Sequence, residues 1–123
     1  MLIVHSKDAF VRPHKHIQKS ESVHVIEGVV DVVVFDNKGE IKEVIEMGDY
    51  ASGRSFYYRM QTNDYHTFLI RSNFLVFHET VNGPFNKNDT LFPDWAPREE
   101  DIRTRAQYLV QLEERIEDFQ VKI

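Results

Sequence analysis

Two histidines, His14 and His16, lie near the start of the chain, and Glu21 and a more distant His66 follow them. Alternate residues of a β-strand point to the same side, so a strand over residues 10–16 would place both imidazoles on one face. Three imidazoles and one carboxylate suit a divalent transition metal, because the carboxylate offsets the charge of the cation. A His-x-His pair alone is more often two surface side chains, so the interpretation depends on the wider pattern.

Three further residues are candidates for chemistry beside such a site. Arg12 precedes His14 by two positions and shares its predicted face, where it could bind a carboxylate or phosphate or form a buried salt bridge. Tyr65 flanks His66 and could line the same site. His78 lies near the end of a predicted strand, where it could act as a general base, although a structural role is the simpler alternative.

The first 85 residues contain many β-branched and aromatic side chains separated by turn residues, which predicts short strands. The predicted strands cover residues 2–5, 10–16, 22–26, 29–35, 40–46, 56–60, 66–71 and 74–77. The nearly continuous apolar run at 29–35 predicts a strand that is buried on both faces. Seven or eight short strands at this spacing are typical of an all-β sandwich or barrel.

From about residue 97 onward the pattern is that of a helix. Pro97 suits the first helical position, and the acidic residues 99–101 complement the positive end of the helix dipole. Apolar residues recur at steps of three and four, which predicts one apolar helix face. The residues of this face are Ile102, Ala106, Leu109, Leu112, Ile116 and Phe119. The face can pack on the chain's own barrel or against a second copy, and the sequence leaves both possibilities open.

Composition excludes several classes of protein. The 123 residues amount to one domain. A net charge of −5 argues against a nucleic-acid surface, and no apolar run reaches the length of a membrane span. Cysteine is absent, which excludes disulfides and thiolate metal sites. The N-terminus resembles no signal peptide, so we expect a cytoplasmic protein.

The spacing of residues 14–28 resembles the first motif of the cupin superfamily. That motif consists of Gly, five residues, His-x-His, three or four residues, Glu, six residues and Gly. Here His14-Lys15-His16 is followed after four residues by Glu21 and after six more by Gly28, while the initial glycine is missing. Residues 48–66 match the second cupin motif only loosely.

The cupin resemblance implies a fold, a ligand set and an assembly. The fold would be an all-β, single-domain cupin (a double-stranded β-helix or jelly-roll barrel) over residues 1–96, with a C-terminal α-helix over 97–120. One divalent ion, which could be Fe, Mn, Ni or Zn, would bind inside it. The implied ligands are His14, His16, Glu21 and His66. Because cupins commonly pair through strands and terminal segments, we also expect a homodimer.

A narrower resemblance covers about residues 10–98. The segments 12–16, 35–39, 65–67, 82–85 and 94–97 are similar in order and spacing to those of the WbuC group of cupin-fold metalloproteins. Members of that group are often associated with bacterial surface-polysaccharide gene clusters. This implies a metal-dependent enzyme for a small polar metabolite, such as a sugar or nucleotide sugar, by isomerisation, epimerisation or oxidation. A non-catalytic metal-dependent binding module and a metal-free isomerase or epimerase with a histidine base remain alternatives.

Overall fold

The computed structural model describes residues 1–17, 19–60, 64–82 and 89–122. These residues form short strands followed by one long helix. The elements are β1 (Leu2–Ser6), β2 (Lys15–His16), β3 (Glu21–Glu27), β4 (Val29–Phe35), β5 (Ile41–Gly48), a 3₁₀-helix (Tyr50–Ser52), β6 (Tyr57–Met60), β7 (Tyr65–Ile70), β8 (Phe74–Val81), β9 (Thr90–Leu91) and α1 (Ile102–Lys122). The prediction of an all-β fold with a C-terminal helix is confirmed.

The strands form antiparallel sheets that enclose the main core. The larger sheet has the strand order β1-β8-β3-β6, the second has the order β5-β4-β7, and β2 pairs with β9. The inner faces of the two larger sheets supply a buried apolar cluster. Its members are Val23, Val25, Val30, Val32, Met47, Met60, Phe68, Ile70, Leu75 and Phe77. Strand alternation accounts for this set, because every second residue of a strand faces the core.

Strand β4 is buried on both faces, as its apolar sequence predicts. It pairs with β5 on one edge and β7 on the other. Val32 faces the core between the sheets, whereas Val33 and Phe35 face the opposite side, where the helix packs. Asp31 is the polar exception in this strand, and its buried carboxylate accepts a hydrogen bond from Arg71 Nε at 2.8 Å.

The helix packs on the chain's own sheet. Leu112 and Ile116 are fully buried against Val33, Phe35 and Leu69 of β4 and β7. Of the two possibilities left open by the sequence, the structure shows packing on the chain's own barrel. The predicted apolar face was wrong at its first two members, because Ile102 and Ala106 are exposed.

The helix also starts later than predicted, at Ile102 and not at Pro97. Asp101 accepts a hydrogen bond from the Thr104 backbone N–H at 3.2 Å and another from the Thr104 hydroxyl at 2.8 Å. The Asp101 carbonyl accepts the N–H of Arg105. These contacts make Asp101 the N-terminal cap, a role that its short carboxylate side chain suits well.

Trp95 lies in the segment between β9 and the helix. Its ring covers Gly39, and its indole N–H donates a hydrogen bond to the Asn37 carbonyl at 3.0 Å. Gly39 has a φ of +86° and no side chain, and a Cβ there would lie 2.8 Å from the indole. The turn after β4 therefore requires glycine for its backbone conformation and for the space the indole occupies.

The predicted strand over residues 10–16 was wrong for most of its length. Only Lys15–His16 pairs with another strand, and His14 adds an isolated bridge to His66. The Phe10–Pro13 segment is irregular, so strand alternation cannot orient Arg12 relative to His14. Within the described residues, no helix has the length and apolar character needed to cross a membrane.

Candidate metal centre

Three separate elements bring the predicted ligands together. His14 and His66 exchange backbone hydrogen bonds, with His14 N donating to His66 O at 3.1 Å and His66 N donating to His14 O at 2.9 Å. His16 lies in β2, and Glu21 is the first residue of β3. The structure therefore assembles in space four residues that span more than 50 positions of sequence.

The four side chains converge closely enough to share one ion. One potential ligand atom from each of His14, His16, Glu21 and His66 lies within 4.8 Å of the other three. Glu21 Oε2 lies 3.2 Å from His16 Nε2 and 3.3 Å from His66 Nε2. Two ligand atoms that are each roughly 2.1 Å from a common ion are about 3.0–3.4 Å apart for right-angle to tetrahedral coordination. Both distances fit that range.

Backbone carbonyls orient two of the imidazoles. His14 Nδ1 lies 2.7 Å from the Arg12 carbonyl oxygen, and His66 Nδ1 lies 3.2 Å from the Asp64 carbonyl oxygen. A carbonyl oxygen only accepts hydrogen bonds, so each Nδ1 carries the proton. When these rings are neutral, their Nε2 atoms present a lone pair, which is the arrangement that outer hydrogen bonds give to metal-ligating histidines.

Three buried atoms at the centre have no hydrogen-bond partner among the described residues. They are His16 Nε2, Glu21 Oε2 and His66 Nε2. The distances from Glu21 Oε2 to the two Nε2 atoms are short, but the angles of these contacts do not meet hydrogen-bond geometry. His16 is positioned from its other side, where Nδ1 lies 3.3 Å from the Thr90 hydroxyl. Buried polar atoms are normally satisfied, so three converging unsatisfied atoms are the pattern expected of ligands to a cation. The donor set fits a divalent transition metal.

The electrostatics of the cluster support the same chemistry. Burial, together with the neighbouring charge of His66, lowers the pKa of His14 to about 4, so His14 is neutral at physiological pH. Contact with Glu21 raises the pKa of His16. Burial opposes ionisation of Glu21, but its contacts with His16 and His66 outweigh that effect and hold its pKa well below the ordinary value. The centre therefore offers an ionised carboxylate to a cation.

Glu79 is a residue of this region that sequence reasoning missed. It lies on the inward face of β8, two positions after the buried Phe77. Burial and the negative charge of Glu21 raise its pKa to about 7. The signal was present in the sequence, because Leu75, Phe77 and Glu79 alternate along one strand and so share a face.

A cavity of about 270 Å³ opens beside His16. Two apolar residues and five polar or ionisable residues line it. The lining residues are Met1, His16, Lys19, Glu79, Val81, Asp89 and Thr90. Because His16 and Glu79 both line it, a small molecule in this cavity would contact the candidate metal centre and a carboxyl group that titrates near neutrality.

The other predicted site residues lie elsewhere. The Arg12 guanidinium stacks on the Phe92 ring at 4.3 Å, and within the described residues it forms no salt bridge. Tyr65 packs on the helix side of β7, opposite His66, with the Lys15 ammonium over its ring at 4.5 Å. His78 is exposed on the outer face of β8. Of the three, Arg12 touches the cluster, through its backbone carbonyl.

Comparisons with known proteins place the fold among cupin-like structures. Protein SO0799 from Shewanella oneidensis superposes with a TM-score of 0.63 at 13% identity, over 74% of this chain and 58% of that one. The capsular polysaccharide assembling protein CapF from Staphylococcus aureus gives 0.60 at 19% identity, over 75% and 27%. The dTDP-4-dehydrorhamnose 3,5-epimerase from Elizabethkingia anophelis NUHP1 gives 0.58 at 18% identity, over 82% and 63%. The chain thus spans about a quarter to three fifths of these longer proteins.

Sequence comparison adds less. A family model described as "Domain of unknown function (DUF6016)" matches residues 1–47. A search of curated proteins finds no match. Part of the WbuC resemblance rests on residues 83–85, which lie outside the described residues. The class that fold and site define is a cupin-like jelly roll with a His/Glu cluster able to hold a metal ion.

Proposed function

We propose that this chain is a metal-dependent, cupin-fold enzyme acting on a small polar metabolite of the sugar or nucleotide-sugar type. His14, His16, Glu21 and His66 would hold one ion, which could be Fe, Mn, Ni or Zn. The observation that carries the proposal is the set of three buried ligand atoms that converge without hydrogen-bond partners. As a Lewis acid, such an ion would polarise a substrate oxygen.

The protein's own residues supply orientation and proton transfer. The carbonyls of Arg12 and Asp64 fix the direction of two imidazoles. Glu79 faces the neighbouring cavity, where its partly buried carboxyl group would accept a proton from a bound molecule or donate one to it. Burial of the cluster limits access of bulk water, because Glu21 and His66 are each 4% exposed.

The sugar-type substrate is favoured by two structural relatives. One is described as an epimerase of a nucleotide-linked sugar, and the other as a protein that assembles capsular polysaccharide. These descriptions agree with the polysaccharide association implied by the resemblance to the WbuC group. At under 25% identity the likeness concerns the fold, so the substrate class belongs to our proposal.

A second candidate is a metal-free isomerase or epimerase. Its support is the contact of Glu21 with His16, since this carboxylate raises the pKa of that imidazole. In this reaction class a histidine would remove a proton from carbon, and Glu21 would orient it. A third candidate, a metal-dependent binding module, would use the same cluster without turnover.

One experiment separates these candidates. Chelator-treated protein and the same protein reloaded with Fe²⁺, Mn²⁺, Ni²⁺ or Zn²⁺ are incubated with a panel of nucleotide sugars, and the products and binding are measured. We expect turnover after reloading only. Equal turnover in chelated protein would favour the histidine-base reaction, and metal-dependent binding without turnover would favour the binding module. Failure of every sugar to bind or react would contradict the proposed substrate class.

A further inference from the structure

The cavity beside the metal centre is bounded by polar groups from several parts of the chain. Glu79 belongs to β8 and Thr90 to β9. Lys19 lies between β2 and β3, and Asp89 directly precedes β9. The Ile17 N–H donates to the Asp89 carbonyl at 2.7 Å, which continues the pairing of β2 with β9. The paired strands therefore hold the backbone of Asp89 in place at the cavity.

Lys19 and Asp89 form an ion pair at this cavity. Lys19 Nζ lies 3.6 Å from Asp89 Oδ2 and donates a hydrogen bond to the Asn82 carbonyl at 3.2 Å. The Lys19 side chain is 11% exposed, so its charge is largely buried. A separation of 3.6 Å is too long for a direct hydrogen bond between the two charged groups. A hydroxyl group of a ligand can bridge them, because it accepts from the ammonium and donates to the carboxylate.

The charges around the cavity balance one another when a divalent ion is bound. The positive charge of Lys19 is balanced by Asp89. The two positive charges of the ion would be balanced by the ionised carboxylates of Glu21 and Glu79. A buried charge without a counter-charge is costly, and an anionic ligand group here would have Glu79 and Asp89 as neighbours. The lining therefore favours an uncharged ligand.

The size and polarity of the cavity narrow the ligand further. Its volume of about 270 Å³ lies just below the roughly 300–1,000 Å³ of sites for drug-sized molecules. This space is suited to one sugar ring and not to a complete nucleotide sugar, whose nucleotide would lie outside it. The predominance of polar and ionisable lining residues is suited to a ligand that carries several hydroxyl groups.

We infer that the cavity binds an uncharged monosaccharide unit and that Lys19 and Asp89 are specificity-determining residues that recognise its hydroxyl groups. The inference rests on the proposed function and narrows its substrate class to neutral sugars. Oxygen atoms on the side of the sugar nearest His16 would face the candidate metal centre. Hydroxyl groups elsewhere on the ring would bridge Lys19 and Asp89.

Pairs of probes that differ in one charge test this specificity. The methyl glycosides of glucose, galactose and mannose are compared with those of the matching uronic acids, in which a carboxylate replaces the C6 hydroxymethyl group. Binding to protein reloaded with metal is measured by titration calorimetry. We expect at least one neutral glycoside to bind and its uronic acid counterpart to bind at least ~10-fold more weakly, because like charges are then placed side by side.

Two variants test the roles of the ion pair. Lys19→Met keeps an unbranched side chain, and Asp89→Asn keeps the shape of aspartate. Each should raise the Kd of the neutral glycoside roughly 10–100-fold, because a hydrogen bond to a charged group is lost. Lys42→Met is the matched control, since Lys42 Nζ pairs with Asp64 at 2.9 Å and does not line this cavity. Its Kd should equal that of the wild type, and elemental analysis should find the same metal content in every variant.

The possible failures of the inference and of the proposed function give different results. Uronic acids that bind as tightly as the neutral glycosides, or an unchanged Kd in Lys19→Met and Asp89→Asn, would overturn the inference and leave the proposed function intact. Turnover of nucleotide sugars that no neutral glycoside inhibits would have the same meaning. If no sugar of either kind binds or reacts, the proposed substrate class fails together with the inference.

Discussion

Replacing Glu79 by glutamine should stabilise the metal-free protein at alkaline pH and leave its stability nearly unchanged at acidic pH. Burial and the charge of Glu21 raise the Glu79 pKa to about 7 from its ordinary value of 4.5. The folded protein therefore binds this proton more tightly than the unfolded chain does. Below about pH 4.5 the Glu79 carboxyl is protonated in both the folded and the unfolded state, so it does not lower the free energy of unfolding. Above about pH 7 it is ionised in both states, and the folded state bears the full unfavourable energy.

The expected size follows from the shift in pKa. A pKa difference of this magnitude corresponds to roughly 3 kcal/mol, and partial exposure of Glu79 reduces the effect to about 1–2 kcal/mol by solvent screening. Urea unfolding in the presence of a chelator, at several pH values between 5 and 8, gives the free energy of unfolding. The gain of Glu79→Gln over the wild type should increase with pH, whereas Glu117→Gln, on the exposed side of the helix, should show no such trend. A gain that does not depend on pH, or a loss at pH 8, would refute the account of Glu79.

Three further predictions concern the helix, the turn after β4 and the metal. Leu112→Ala should cost about 2–5 kcal/mol of unfolding free energy because it leaves a cavity, and Val110→Ala should cost under about 1 kcal/mol. If urea unfolding shows similar losses for the two variants, the packing of the helix on the sheet is contradicted. Gly39→Ala should cost about 1–2 kcal/mol of unfolding free energy, because the backbone at this position is left-handed. It should also change the fluorescence of Trp95, the single tryptophan. Unchanged emission would contradict the contact between Gly39 and Trp95. As the pH is lowered, the metal affinity measured by titration calorimetry should begin to fall before pH 6.5 is reached, because the raised pKa of His16 lets protons compete with the ion for this ligand. A constant affinity from about pH 8 to pH 5 would exclude histidine ligands.

Much of the fold could be predicted because burial follows strand alternation. The continuous apolar run 29–35 correctly indicated a central strand that is covered on both sides. The helix was predicted from its three- and four-residue apolar steps, but its start was not. Pro97 and the acidic residues after it are compatible with a helix, and the hydrogen bonds of Asp101 to Thr104 decide where the helix begins.

The candidate site shows where such reasoning ends. A fixed spacing motif selected His14, His16 and Glu21, and a looser second motif added His66; the structure brings the four residues within 4.8 Å of one another. These motifs were not enough to orient Arg12, because the expected strand is replaced by an irregular segment that depends on the His14–His66 bridge. Long-range pairing of this kind has no local signal in the sequence. Glu79 was missed for a different reason, since a single carboxylate in an alternating strand is usually outside.

The most direct test of the central claim is the metal content of protein purified without a histidine tag. Elemental analysis should find one divalent transition metal ion per wild-type chain. In His66→Ala the content should fall several-fold because a buried ligand is lost. In the matched control His24→Ala, where an exposed histidine on the outer sheet face is removed, it should equal that of the wild type. Equal metal content in all three proteins, or none in the wild type even after incubation with excess Fe²⁺, Mn²⁺, Ni²⁺ or Zn²⁺, would contradict a metal centre at His14, His16, Glu21 and His66.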